Sequence, residues 1–233
     1  MHTLNPIGIL HSPFKEKFGI PRQAGLIKSC TAEIELYPPY NDKNAVKGLD
    51  AFSDIWLIFT FHQNTYSGWR PMVRPPRLGG NKKIGVFASR APFRPNNLGL
   101  TRVGLRHIKE KNGKVSLCID CPDMVDGTPI YDIKPYIHYA DANENAISGF
   151  APDPPPKKWD VQFTEPALDS INNLDAATYP DLKTTLREVL ELDPRPAYKK
   201  DNDARYGFKL YNLDIIWSLN NDTVTVERIL IIE

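Results

Sequence analysis

No run of 18 apolar residues occurs in the 233-residue chain, so nothing in it reads as a membrane span. The opening residues, Met1-His-Thr-Leu-Asn-Pro, lack the basic and apolar regions of a secretory signal. The three cysteines are too few and too scattered for a disulfide framework, so their thiols are expected to be reduced in a cytoplasmic protein. Neither G-x-G-x-x-G nor G-x-x-x-x-G-K-[ST] is found, which removes a Rossmann dinucleotide site and a P-loop. No serine sits in a nucleophile-elbow pattern, so a hydrolytic triad has no anchor. Carboxylates are missing altogether from residues 55–109.

What is present is globular: 41% hydrophobic and 24% charged residues, enough to bury a core. Proline is abundant, at 21 residues, which disfavours long helices and favours strands, turns and extended loops. The net charge of +1 hides a division: from Pro13 to Lys109 there are 16 Lys/Arg against 6 Asp/Glu, and the rest of the chain is acidic. The acid-free stretch holds Arg70, Arg74, Arg77, Lys82, Lys83, Arg90, Arg94, Arg102, Arg106 and Lys109. Cations without acidic neighbours repel one another unless an anion neutralises them. A polyanion or phosphate-bearing partner fits that pattern better than a plain solvated face, and the expectation is that the chain's own carboxylates do not pair these groups. Trp69, Phe87 and Phe93, interleaved among the cations, either offer faces to unstacked bases or belong to the core.

Runs rich in Val, Ile, Leu and Phe, bounded by Gly, Pro or Asn, predict strands at 4–10, 32–37, 54–62, 84–88, 101–109 and 114–120. Six strands with hardly any helix suggest a small barrel or curled sheet. One short helix is expected at 44–52, capped by Asn44. Residues 139–158 are polar and proline-rich and read as a linker. Beyond them, helices are expected near 166–177 and 181–192, followed by a hairpin of 206–219 with 223–232. The fold class is therefore mainly β with an α+β C-terminal part, divided into residues 1–138, a linker at 139–158, and 159–233.

Four segments concentrate the polar chemistry. Trp69-Arg-Pro-Met-Val-Arg-Pro-Pro-Arg-Leu-Gly-Gly sets arginines on a stiff loop that loses little ordering entropy on binding. In Gly85-Val-Phe-Ala-Ser-Arg-Ala-Pro-Phe-Arg-Pro-Asn-Asn-Leu-Gly-Leu, a strand runs into an arginine-rich turn, and Asn96, Asn97 and Gly99 suit positive φ. Asp123, Asp126 and Asp132 surround a Gly-Thr-Pro turn. Ile20-Pro-Arg-Gln-Ala-Gly forms an early loop. Cys118 and Cys121 make a C-x-x-C, but in a strand-like run their side chains diverge and no second pair exists for zinc. His62 ends an apolar strand and reads equally as a satisfied core histidine.

These segments, in this order, resemble the TsaA-like (TrmO-type) family. The matching stretches include Ser12-Pro-Phe-Lys-Glu-Lys, Pro21-Arg-Gln-Ala-Gly25, Trp56-Leu through His62-Gln63, Arg74-Pro-Pro-Arg-Leu-Gly79, Gly85-Val-Phe-Ala-Ser-Arg90, Phe93-Arg-Pro-Asn-Asn-Leu-Gly-Leu100 and Asp126-Gly-Thr-Pro129. Asp193-Pro-Arg-Pro-Ala-Tyr198 resembles a signature of the longer bacterial members. Asn97 stands where the family usually has proline, which is expected to loosen that turn. The resemblance implies a small, non-Rossmann β-barrel methyltransferase domain, a small C-terminal domain and a homodimer. It implies methyl transfer from S-adenosylmethionine to N6 of N6-threonylcarbamoyladenosine at position 37 of a tRNA anticodon loop, with no metal. The cofactor residues it implies are Pro21, Arg22, Gln23, His62, Gln63, Arg90, Leu100, Asp126, Gly127, Thr128 and Pro129. Asp126, then Asp132 or His62, is expected to take the proton from the acceptor nitrogen. Arg70, Arg74, Arg77, Lys82, Lys83 and Arg94 are expected at the tRNA, with Tyr198, Lys199 and Lys200 as further contacts. The alternative class is a non-catalytic RNA- or S-adenosylmethionine-binding module. A hydrolase of phosphorylated small molecules would use the arginines without tRNA.

Overall fold

Apolar residues recur at every second position in the first half of the chain, and in the computed structural model this alternation closes a barrel. The structure describes residues 3–195 and 204–232, with only the backbone of residues 65–67. The expected tRNA contacts Tyr198, Lys199 and Lys200 lie outside the described residues. The chain folds into two compact units. One comprises Met1–His11, Ala32–Asp120 and Gly127–Asp153; the other comprises Ser12–Thr31, Cys121–Asp126 and Pro154–Glu233.

The elements of the first unit are β1 (Gly8–His11), β2 (Thr31–Leu36), β3 (Asp54–Thr60), β4 (Met72–Val73), β5 (Ile84–Gly85), β6 (Leu98–Lys111), β7 (Lys114–Asp120), β8 (Pro129–Pro135) and the single turn α1 (His138–Asp141). Six of the strands close into a barrel in the order β1-β2-β7-β6-β3-β8. Leu10, Ile34, Ile55, Leu57, Leu117, Ile119 and Ile130 fill its interior with no exposed surface. Phe59 also points inward, opposite Gly99 on β6. A Cβ at Gly99 would run into that ring, so only glycine lets the two strands close there.

Several expectations shift. The run at 84–88 gives only β5, paired with β4, and then a 3-10 turn at Val86–Ala88. Its place in the barrel is taken by β8, which begins at the proline of the Gly-Thr-Pro turn. Proline is tolerated at a strand's first residue, so the turn signal masked the strand behind it. The helix expected at 44–52 reduces to turns and one 3-10 turn, Leu49–Ala51. Gly48, at φ 84°, sits in the left-handed region and stops it.

The second unit contains β9 (Asp160–Phe163), α2 (Glu165–Asn173), α3 (Leu182–Glu191), β10 (Arg205–Leu210), β11 (Leu213–Asn220) and β12 (Thr223–Ile231). The sheet order is β10-β11-β12-β9, with β9 parallel to β12. Both helices lie where their apolar spacing predicts, and α2 starts on Thr164, whose hydroxyl oxygen accepts the Ala167 N–H at 3.3 Å. The expected strand 206–219 is instead two strands folding back after Tyr211, at φ 56°. Phe14, Ile27, Leu186, Phe208, Leu210, Ile215 and Trp217 form one buried core in this unit. The expectation that the thiols are all reduced is corrected: Cys30 and Cys121, 91 residues apart, form a disulfide inside that core. Spacing along the chain conceals it, because the bond needs segments 12–31 and 121–126 folded together. Cys118 remains a buried free thiol. Burial is the largest influence on it and pushes the thiol up against the lowering pull of Lys109 and Arg106.

Candidate active site and nucleic-acid interface

In the first unit, β3 delivers the chain through Phe61 into a 3-10 turn, His62–Ser67. That exit is held from the side by Asn97. Its backbone carbonyl accepts the Phe61 N–H at 3.1 Å, and its Nδ2 donates to the Phe61 carbonyl at 2.9 Å. Asn97 has φ 53°, a conformation asparagine tolerates and proline cannot adopt. The expectation that asparagine loosens this turn is therefore corrected: here it ties the turn to Phe61, the residue before His62.

His62 meets Gly127. A Cβ built on Gly127, at φ 76°, would lie 4.0 Å from His62 Nε2. The Gly127-Thr128 turn is fastened to β1, since Gly127 N–H donates to the Leu10 carbonyl at 2.9 Å and Leu10 N–H donates to Thr128 at 3.0 Å. Thr128 is buried, while Gln63 beside His62 is exposed. On the outer face of the barrel, Leu100 and Asp132 flank Ile58 from the two neighbouring strands. Asp132 Oδ1 accepts the Ile133 N–H at 2.9 Å and Oδ2 pairs with Lys134 at 3.0 Å. Arg90 is exposed on the turn after Val86–Ala88, and Pro129 opens β8.

The remaining expected site residues belong to the second unit. Pro21 and Arg22 line a shallow surface cleft with Gly19, Ile20, Leu26 and Pro194. Gln23 donates to the Arg22 carbonyl. Asp126, ranked first as base from sequence, has both oxygens engaged: Oδ1 accepts the Ser12 N–H at 2.8 Å and Oδ2 pairs with Lys15 at 2.8 Å. Its own N–H donates to the Phe14 carbonyl at 2.8 Å. Both of its oxygens thus tie its loop to the segment 12–15. Ser12 and Lys15 stand in one of the matched segments, but nothing in their spacing announces this partner more than 100 residues away.

Nine of the ten cations of residues 55–109, all but Arg90, divide into two classes. Arg102 pairs with Asp54, Arg106 with Asp120 at 2.6 Å, and Lys109 with Glu33 at 2.7 Å. For these three the expectation of unpaired charge is corrected, because β6 sets them beside acidic residues of adjoining strands. Burial alone would raise the Glu33 carboxyl, but hydrogen bonds from Lys109 and Ser116 outweigh it and hold the group below the usual range. The loop cations differ. Among the described residues no carboxylate lies within ion-pair distance of Arg70, Arg74, Arg77, Lys82 or Lys83. Arg70 stacks on Phe93 at 4.6 Å, and Arg77 donates to the Asp153 carbonyl. Arg94 also lacks a carboxylate, but its Nη1 donates to the carbonyls of Ser89 at 2.8 Å and Val86 at 3.2 Å. That arginine braces the loop from within.

The arrangement offers a polar turn around His62 and a rigid cationic loop region on one unit. Comparison with known proteins agrees in kind. Residues 9–142 match the tRNA-methyltransferase O N-terminal domain, and residues 156–231 match the TrmO C-terminal domain. The chain is 44% identical over 217 residues to the tRNA (adenine(37)-N6)-methyltransferase of Escherichia coli, covering 92% of each. It is 41% identical to a Pseudomonas aeruginosa protein whose name provisionally places it among S-adenosylmethionine-dependent methyltransferases, covering 93% of this chain and 92% of that one. The crystal structure of TrmO from P. aeruginosa superposes with a TM-score of 0.82 at 34% identity, over 98% of this chain and 97% of that one. With both of its domain models matched in order along the chain, this protein belongs to the tRNA-methyltransferase O family.

Proposed function

We propose that this protein transfers a methyl group from S-adenosylmethionine to N6 of N6-threonylcarbamoyladenosine at position 37 of tRNA. The observation that carries the reading is the set of five loop cations that, among the described residues, have no carboxylate in ion-pair distance, on the same unit as the His62–Gly127 turn. Unpaired cations on proline-stiffened loops suit a phosphate backbone, and a single-stranded anticodon loop presents a base that can be unstacked and read.

S-adenosylmethionine brings a methyl carbon already activated by its sulfonium, so the protein's task is alignment and proton removal. The residues present fit such a group at one point: Gly127, with no side chain, leaves space beside His62. Pro21, Arg22, Gln23, His62, Gln63, Arg90, Leu100 and the Gly127-Thr128-Pro129 turn are the residues we assign to it. The acceptor nitrogen shares its lone pair with an adenine ring and a carbamoyl group, and becomes a competent nucleophile as its proton leaves. His62 is our candidate for that proton, because its Nε2 lies against Gly127 of the Asp-Gly-Thr-Pro turn. Asp126 then serves by holding the chain that leads into Gly127.

The test is transfer of labelled methyl from S-adenosylmethionine to tRNA, with nucleosides identified by mass spectrometry. Substrate tRNA with the threonylcarbamoyl group should be methylated, and tRNA lacking it should not. Equal methylation of both would overturn the substrate assignment. His62→Gln should lose transfer and keep S-adenosylmethionine binding. If His62→Gln keeps full turnover and Asp126→Asn loses it with its stability unchanged, the proton belongs to Asp126.

A further inference from the structure

Among the described residues, Phe87 is the most exposed aromatic ring of the cationic loop region, 72% exposed. Apolar rings normally leave water, so a ring kept outside on a rigid support calls for an explanation. The support here is unusually thorough. Val86, the preceding residue, is buried at 1% exposure and anchors the turn Val86–Ala88. Its N–H donates to the Pro71 carbonyl at 3.0 Å. Ser89 closes the turn twice onto the Val86 carbonyl, through its N–H at 3.1 Å and its hydroxyl at 2.9 Å. Arg94 ties the carbonyls of Val86 and Ser89 together, and its guanidinium lies over the Phe87 ring at 5.5 Å from the centroid. One side of the ring is thus backed by a cation and the rest faces solvent. Trp69, also exposed at 57%, lies outside the regular elements after Gly68.

A flat, pre-positioned ring among cations that have no carboxylate partners among the described residues suits one ligand chemistry: an unstacked nucleobase whose phosphates are gripped alongside. Stacking is tolerant of base identity and adds to charge attraction, and fixing the ring beforehand removes the ordering cost of binding. We propose that Phe87 is a stacking platform for a base of the single-stranded RNA loop, held in place by Arg94. This rests on the reading of the protein as a tRNA-modifying enzyme and adds a residue that selects unpaired over paired substrate.

The experiment measures binding of the full-length protein to an RNA stem-loop and to a duplex of equal length, with 2-aminopurine placed at successive loop positions. Wild-type protein should quench or shift the fluorophore at one position as it stacks. Phe87→Ala should lose that signal and weaken stem-loop binding about 5- to 150-fold, the range for one base–aromatic stack. Duplex binding, the salt dependence and the melting temperature should stay as in wild type. Phe87→Trp should restore stem-loop affinity. Unchanged stem-loop binding by Phe87→Ala, equal losses on stem-loop and duplex, or a loss confined to S-adenosylmethionine affinity or self-association would each overturn the proposal. If wild-type protein bound neither RNA, the functional reading itself would fail, an outcome distinct from a silent Phe87 in an active enzyme.

Discussion

Salt dependence separates the two classes of cation that residues 55–109 contain. Arg70, Arg74, Arg77, Lys82 and Lys83 reach no carboxylate among the described residues, whereas Arg102, Arg106 and Lys109 are paired across the barrel strands. Each phosphate neutralised on a single strand releases counterions worth a slope of about −0.7 in log K against log salt. Five contacts therefore give about −3.5, or roughly a 130-fold loss of tRNA affinity between 50 and 200 mM salt. Replacing Arg74 and Arg77 together by Gln removes two contacts, so the slope should fall to about −2.1 and the loss to roughly 18-fold. Arg102→Gln with Arg106→Gln removes the same formal charge from groups already neutralised by Asp54 and Asp120, and the slope should hold near its wild-type value. Fluorescence anisotropy with labelled tRNA at four or five salt concentrations measures both. The reasoning fails if the strand double variant flattens the slope as much as the loop double variant, for then unpaired charge is not what engages the RNA.

Three further outcomes follow from the same contacts. Asn97→Ala loses the hydrogen bond to the Phe61 carbonyl and strains a residue at φ 53°, about 2 kcal/mol together, so thermal unfolding should drop by about 4–8 °C, and Asn97→Gly should recover part of it. Denatured protein should titrate one thiol without reductant and three with it; closing a loop of 91 residues is worth up to about 4.6 kcal/mol by chain entropy, so urea unfolding should shift to a lower midpoint on reduction, and three thiols at the outset would remove the disulfide. The Glu33 carboxyl is held below its usual range, so its contribution is complete above about pH 4.3 and is lost as pH falls through the folded value. Glu33→Gln should therefore flatten the acid limb of the stability profile and leave the neutral region's slope alone.

Most of the barrel was legible because period-two alternation is a local signal. Ile55, Leu57 and Phe59 on one strand, and Val115, Leu117 and Ile119 on another, declare an inner face without reference to any partner. Errors came where a local signal competed with a tertiary one. Pro129 advertises a turn, and its strand becomes visible only with Ile9 laid against it. The run 206–219 looks like one long apolar strand, and only the positive φ at Tyr211 divides it. Gly48 offered the opposite lesson, since the helix expected at 44–52 had the right apolar spacing but carried its own stop signal inside it.

Site residues were harder to read for a physical reason: a residue type shows what a side chain can do, and its partners decide what it does. Asp126 and Asp132 are chemically eligible bases, yet each has both oxygens committed, one to Ser12 and Lys15, the other to Ile133 and Lys134. Arg94 carries the same charge as Arg74, but two backbone carbonyls occupy it, which converts a phosphate ligand into a brace. The distinction bears directly on variants. Arg94→Gln keeps a side chain able to donate to one carbonyl but not to span both, so it should soften the Val86–Ala88 turn and raise KM for tRNA, with the salt slope held at the wild-type value. Arg74→Gln should do the reverse: leave the melting temperature unchanged and lower the slope by about 0.7. Were Arg94→Gln to lower the slope by that amount at an unchanged melting temperature, its guanidinium would be a phosphate contact after all, and the braced ring at Phe87 would lose its support.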